Sequence, residues 1–371
     1  MKPIKVLTTF GTRPEAIKMC PVIKALEKDR RIQSVVCATG QHREMLQNTL
    51  DLFGVKPDYN LRVMREGQPL PDMTARILTE TRAVFDAEKP DLALVHGDTT
   101  TTFSAALSAF YARIPVGHVE AGLRTESFAS PFPEELNRRL TSRIATLHFA
   151  PTEKNARNLR SEGITENVFV TGNTAIDALR YTVADDYRFS SEAVGRLDFS
   201  ERIVTVTAHR RENWGQPLEN ICRALLTLSG LHPDIRFVFP MHPNPVVRNT
   251  VIPLLSQNPR FLLIEPLDTR DMHNLMKRSF LVLTDSGGLQ EEAPALGVPT
   301  VVLREETERE EAVESGTVAL AGTAKEGIVA QAERLISDEG ARRRMAEAAS
   351  PYGDGFASER ILGGILGYFR R

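Results

Sequence analysis

The stretch Phe280-Leu281-Val282-Leu283-Thr284-Asp285-Ser286-Gly287-Gly288-Leu289-Gln290-Glu291-Glu292 reads as a strand, a glycine turn and the opening of a helix. Phe280–Thr284 shows no polar alternation, as expected of a strand covered on both faces. Glycines at the turn let the backbone approach an anion closely, and free N–H groups at a helix start favour phosphate. Ser286 is the expected N-cap, and Glu292, one turn in, is placed to accept hydrogen bonds from ribose hydroxyls. The plain alternative is a tight strand-to-helix turn and nothing more.

Similar apolar runs of strand length recur on both sides. Before the middle of the chain they are Ile4–Phe10, Ser34–Thr39, Asp91–Gly97, Val116–Glu120, Thr146–Pro151 and Val168–Gly172. After it they are Ile203–Ala208, Arg236–Pro240, Phe261–Glu265, Phe280–Thr284, Thr300–Leu303 and Val318–Ala321. Stretches with helical spacing, such as Pro14–Lys28 and Thr101–Ala112, lie between them. Strand–helix alternation of this kind predicts an α/β protein with two Rossmann-like, doubly wound parallel sheets. Ligands of such sheets bind at the carboxyl ends of the strands, so a central cleft faced by both domains is expected. The expected division is 1–172 plus 356–371 for the N-terminal domain and 173–355 for the C-terminal one. The amphipathic stretch Ser358–Arg371 is expected to return to the first.

Composition narrows the class. The 371 residues carry 46 basic and 48 acidic side chains, a net charge of −2, with 42% hydrophobic and 25% charged residues. That balance gives no reason to expect nucleic acid or a membrane surface as partner. Three separated cysteines with no CxxC pair argue against a disulfide framework or a structural zinc. No run approaches a membrane span and no signal peptide is legible, so a cytoplasmic protein is expected. GxxxxGK[ST], GxGxxG, Tyr-x-x-x-Lys and Asp-x-Asp are all missing from the sequence. An NTPase, a nicotinamide enzyme and a metal-dependent transferase are therefore not supported, and neither a metal nor a cofactor is expected.

Candidate chemistry clusters at predicted strand ends. Pro14 at the first turn of a helix leaves Arg13 at the sheet edge, and Arg13 with Lys18 offers cations to a diphosphate; Arg309 is a third. Asp98 and Glu120 each close a strand, although an Asp before Thr99-Thr100 also suits a helix cap. An unpaired Glu120 at the end of a buried strand would be costly. Glu134 sits in the Pro-rich loop Pro131-Phe132-Pro133. His209 and His242 end neighbouring strands, where satisfied structural histidines are the bland alternative.

In order along the chain stand Gly11-Thr12-Arg13-Pro14-Glu15-Ala16-Ile17-Lys18, Gly40-Gln41-His42-Arg43-Glu44-Met45-Leu46, His96-Gly97-Asp98-Thr99 and Glu120-Ala121-Gly122-Leu123-Arg124-Thr125. Phe132-Pro133-Glu134-Glu135-x-Asn137-Arg138, His209-Arg210-Arg211-Glu212-Asn213 and the Ser286–Glu292 turn follow. Together they resemble the non-hydrolysing UDP-N-acetylglucosamine 2-epimerases from end to end. The resemblance implies a fold of the GT-B type, a homodimer, and interconversion of UDP-GlcNAc with UDP-ManNAc without a redox cofactor. It implies elimination of UDP to 2-acetamidoglucal, then re-addition with a proton delivered to the other face of C2.

Carried over residue by residue, Asp98, Glu120 and Glu134 match the catalytic carboxylates, with His209 near the leaving diphosphate. Arg13, Lys18, Ser286, Gly287, Gly288, Glu292 and Arg309 match positions that hold UDP. A second, activating UDP-GlcNAc site of bacterial members is matched by Gln41, Glu134, Arg210 and His242. There Glu44 stands where glutamine is common and Gly67 where arginine is common, so weakened activation is expected. Thr269 and Met272 replace frequent aromatics beside the uracil position. A 2-epimerase of a modified UDP-sugar, such as a 2,3-diacetamido uronic acid, and a GT-B glycosyltransferase are the alternatives.

Overall fold

The structure, a computed structural model, describes residues 2–40, 43–63, 65, 67–125, 127–128 and 131–370, without side chains at 43–45. It contains two compact units: residues 1–181 with 352–371, and residues 182–351.

The first unit is built on β1 (Ile4–Phe10), β2 (Ile32–Ala38), β3 (Tyr59–Asn60), β4 (Leu92–His96), β5 (Val116–Val119), β6 (Leu147–Ala150) and β7 (Val168–Val170). Their order across the sheet is β3-β2-β1-β4-β5-β6-β7, with every pairing parallel. The second is built on β8 (Arg202–Thr207), β9 (Ile235–Pro240), β10 (Phe261–Ile264), β11 (Leu281–Thr284), β12 (Thr300–Val302) and β13 (Val318–Leu320). Its order is β10-β9-β8-β11-β12-β13, again parallel. The twelve apolar runs expected to be strands are all strands; β3, two residues long, was not foreseen.

Parallel strands need helices on both faces, and the buried side chains show them. Val6, Phe10 and Phe149 pack with Met19 and Ile23 of the helix Arg13–Lys28 and with Ile361 and Ile365 of the helix Ala357–Phe369. Leu7, Ala93 and Val95 pack on the opposite side with Ala105 and Ala109 of the helix Thr100–Tyr111. The helix Ala357–Phe369 is thus part of the first unit's core. Asp177 ties its start, accepting the N–H groups of Ala357 and Ser358 at 3.1 and 2.7 Å. In the second unit Phe237, Phe239 and Leu283 meet Leu225, Leu228 and Ile328.

Cys20, Cys37 and Cys222 are free and buried, and desolvation pushes each thiol up to about 12. Among the described residues no helix is long and apolar enough to cross a membrane.

In both sheets the strand order reverses direction next to the first strand, between β1 and β4 and between β8 and β11. Outward connections on either side leave a crevice at those carboxyl ends, the usual ligand position.

Candidate active site

In the first unit the turns after β1 and β4 are stitched by one carboxylate. Glu15, 2% exposed, accepts the N–H groups of Gly11 and Thr12 at 3.1 and 2.7 Å through Oε2. Its Oε1 accepts the hydroxyls of Thr99 and Thr102 at 2.8 and 3.3 Å. Thr12 returns a cap to Glu15 N, a capping box that starts the helix with Arg13 in its first position.

Asp98 is not the helix cap; Thr99 takes that role by accepting Thr102 N at 3.1 Å. The Asp98 carboxylate pairs instead with Arg138 Nη2 at 2.6 Å, and its carbonyl accepts Asn137 Nδ2 at 2.9 Å. Both partners lie on the helix Glu134–Ile144, which begins with Glu134. Burial raises the Asp98 carboxyl above its ordinary range; Arg138 works against this, while Glu120 and Glu134 add to it. His118, which burial holds neutral at about 3, donates through Nε2 to the Gly97 carbonyl at 2.8 Å and steadies the same turn.

Glu120 follows β5 in the left-handed region, φ 61°. A non-glycine residue there is strained by about 1 kcal/mol, a feature that clusters at functional sites. Two residues on, Gly122 at φ 93° admits no side chain, since a Cβ would meet the Asn155 carbonyl oxygen at 2.2 Å. Glu120 is not unpaired: Lys18 Nζ donates to both its oxygens at 2.8 Å. His96 Nε2 lies 2.7 Å from Oε2, too bent for an aligned hydrogen bond. Burial alone would push this carboxyl up, but Lys18 and His96 outweigh it and hold it well below its usual range. Lys18, expected beside a diphosphate, therefore serves Glu120 in this structure. The two carboxyls are driven apart, one up and one down, as in pairs that divide acid and base roles.

In the second unit Asp285, fully buried, gathers the turn after β8. Its Oδ2 accepts the N–H groups of His209 and Arg210, both at 2.8 Å, and Asn213 Nδ2 at 3.0 Å. The His209 ring stacks on His242 with centroids 5.4 Å apart, so the residues expected at the diphosphate and at the activating site form one cluster. Burial, with the charge of His209, lowers the His242 imidazole.

The glycine turn departs from expectation in one respect. Ser286 is not the N-cap: the helix is Leu289–Ala295 and Gly288 precedes it without a side-chain cap. Glycines at 287 and 288 prolong the turn past Ser286, whose N–H is bonded to Thr284 Oγ1 at 2.9 Å. Arg309 lies against the turn, its Nη1 2.7 Å from where a Gly287 Cβ would stand. It donates through Nε to Glu291 at 2.8 Å and through Nη1 to Glu308. Burial works to raise Glu308, yet Arg309 and Arg304 leave it at about 2. Glu292 Oε2 stands 3.3 Å from His273 Nε2, and His273 Nδ1 bonds Thr182 Oγ1 at 2.7 Å.

Gln41 lies outside the described residues, and of Glu44 only the backbone, in the helix Arg43–Phe53, is described. No cluster of three or more His, Cys, Asp or Glu suited to a metal occurs among the described residues.

Residues 24–366 match the family model described as UDP-N-acetylglucosamine 2-epimerase. The chain belongs to the UDP-N-acetylglucosamine 2-epimerase family. It is 50% identical over 370 residues to the Bacillus subtilis UDP-N-acetylglucosamine 2-epimerase, covering 100% of this chain and 97% of that one. The Neisseria meningitidis UDP-GlcNAc 2-epimerase, solved bound to UDP-GlcNAc, superposes with a TM-score of 0.90 at 47% identity, covering 98% of this chain and all of that one. At 12% identity the glycotransferase of kitacinnamycin still superposes with a TM-score of 0.65, covering 98% of this chain and all of that one, a likeness of fold alone. Among 2-epimerase sequences, then, this chain shares the GT-B type architecture of two Rossmann-like units.

Asp285, Glu15, His96 and Arg138, which the structure brings against the candidate residues or their turns, were left without roles by sequence reasoning. Asp285 could have been found as a carboxylate ending a buried strand, the same signal that drew attention to Asp98 and Glu120.

Proposed function

We propose that this chain interconverts UDP-N-acetylglucosamine and UDP-N-acetylmannosamine by eliminating and re-adding UDP through 2-acetamidoglucal. The observation that carries this reading is the opposed pair Asp98 and Glu120, two partly buried carboxyls at adjacent strand ends with proton affinities pushed in opposite directions. The C2 proton is a poor acid until the C1–O bond to UDP begins to break. One carboxylate then takes the proton, the C–H electrons form the C1=C2 bond, and the C1–O electrons leave with the diphosphate. Re-addition reverses these steps, with the proton delivered to the opposite face of C2 by the other carboxyl, so acid/base groups on both faces are required. Glu134, in the first turn of the helix that carries Arg138, is the third carboxylate of the set.

For the diphosphate we assign Arg13, Lys18, Arg309, His209 and the backbone of Ser286, Gly287 and Gly288, with Glu292 at the ribose. Lys18 then shares its charge between the leaving group and Glu120. The activating site is assigned to Gln41, Glu44, Arg210 and His242 with Glu134.

A homodimer and a cytoplasmic location belong to the same reading. The dimer is supported by Phe110 and Tyr111, both 58% exposed, and by Leu136 and Leu140 at 41% and 38%, on two helices packed together. Leu140→Glu with sedimentation tests it: a species of 41.3 kDa is expected, and an unchanged mass excludes this face.

Proton NMR with UDP-GlcNAc in D2O tests the activity. UDP-ManNAc carrying deuterium at C2 is the expected product. Tight UDP binding without turnover would favour a modified UDP-sugar instead.

A further inference from the structure

The helix Glu134–Ile144 carries Glu135, Arg138 and Arg139 on one side, at spacings of three and four residues. Glu135 is completely buried, yet no step of the reaction uses it. Its Oε1 accepts Arg139 Nε at 2.5 Å. Its Oε2 accepts Thr125 N and Oγ1 at 2.9 and 3.0 Å and lies 3.3 Å from Arg138 Nη1. Arg138, 5% exposed, turns its other terminal nitrogen to Asp98 Oδ2 at 2.6 Å. Among the described residues Arg138 Nε and Nη1 make no aligned hydrogen bond; the guanidinium is held by its hydrogen bond to Asp98 at one prong and by the ion pair with Glu135 at the other. A guanidinium is a rigid plane with a fixed fork of donors. Where Glu135 holds one prong therefore decides where the other prong points.

We propose that Glu135, acting through Arg138, is a positioning residue that sets the direction of the Asp98 carboxyl and how readily it releases its proton. This rests on the reading of Asp98 as an acid/base group. The charged and titratable neighbours of Asp98 are Arg138 and His96 on one side of the balance, and Glu120 and Glu134 on the other. Glu135 takes up part of the Arg138 charge. Without the Glu135 charge, Arg138 acts wholly on Asp98, and the proton leaves at lower pH. Without Arg138, Asp98 has only His96 set against two carboxylate neighbours, and the proton is kept to higher pH.

The experiment is a carbon-13 NMR titration of the full chain labelled in its aspartate carboxyls, with the Asp98 signal assigned by its loss in Asp98→Asn. Turnover against pH is measured in parallel. In Glu135→Gln the Asp98 midpoint is expected to fall by about half a unit to one unit; in Arg138→Gln it is expected to rise by about one unit or more. The limb of the kcat profile set by Asp98 moves with each midpoint, while KM in Glu135→Gln stays within about threefold. Midpoints that stay at the wild-type value, or move the same way, overturn the proposal. If Glu135→Gln does not fold, Glu135→Asp, which draws the carboxylate back by one methylene, is expected to give a smaller downward shift, and a wild-type midpoint there overturns it. Should the midpoints move as described while kcat ignores them, the role of Asp98 in turnover fails and the positioning relationship stands.

Discussion

Asp285 and His209 are joined through the backbone: the buried carboxylate of one accepts the N–H of the other at 2.8 Å across the first and fourth strands of the second sheet. Asp285→Asn removes the negative charge from an oxygen that accepts three hydrogen bonds and puts a buried amide donor where Oδ1 has no hydrogen-bond partner among the described residues. A loss of about 1–3 kcal/mol is expected from denaturant unfolding, with weaker UDP binding by calorimetry. Wild-type stability together with wild-type affinity would show the turn to be held otherwise.

Lys18 governs Glu120. The folded-state value of this carboxyl is well below its ordinary 4.5. It therefore binds a proton more weakly folded than unfolded. Its contribution is complete above about pH 4.5 and is lost as pH falls through the depressed folded value. Lys18→Met should lower stability by about 3 kcal/mol at neutral pH and flatten the acid limb of the stability curve. Turnover should fall about 100-fold or more. An acid limb identical to wild type would mean that the pair does not hold Glu120.

The two turn glycines should behave differently. A Cβ on Gly287 meets the Arg309 guanidinium at 2.7 to 3.0 Å, and Arg309 is held by Glu291 and Glu308. Gly287→Ala is expected to displace it, costing about 1–2 kcal/mol and at least tenfold in UDP affinity. A Cβ on Gly288 meets only Glu292 Oε1, at an ordinary 3.6 Å, so Gly288→Ala should stay within about 0.5 kcal/mol of wild type. Equal effects at both positions would remove Arg309 from the explanation.

Adjacent glycines in the last helix offer a contrast in packing. A Cβ at Gly364 meets Phe149 at 2.8 Å, whereas one at Gly363 meets nothing within 4 Å. Gly364→Ala should destabilise by about 1–3 kcal/mol through overpacking against β6, and Gly363→Ala should stabilise by up to about 1 kcal/mol. Thermal melting of the two variants decides; a tolerated Gly364→Ala would mean the helix does not press on Phe149.

Strands were legible because burial on both faces leaves uninterrupted Val, Ile, Leu and Phe, and each foreseen run ends within two residues of its strand. Tyr59–Asn60 escaped because two residues carry no periodicity. The Asp98 and Glu120 positions were legible from strand ends, but their partners were not: Arg138 is 40 residues from Asp98, and Lys18 is 102 residues from Glu120. Such pairings are made by the fold and leave no local spacing to read. Ser286 was expected to cap the helix, which instead starts three residues later at Leu289, after both glycines. Arg309 was legible as a cation, but not as one already engaged by Glu291 and Glu308.

The three buried thiols have a practical consequence. With all of them shielded and held as neutral S–H groups, the native chain offers maleimides and iodoacetamide no ready target. A single cysteine placed on an exposed helix face would therefore be the one reactive position in the folded protein. Spectroscopic labels could then be sited at will, without first stripping out Cys20, Cys37 and Cys222 from the interior they help fill.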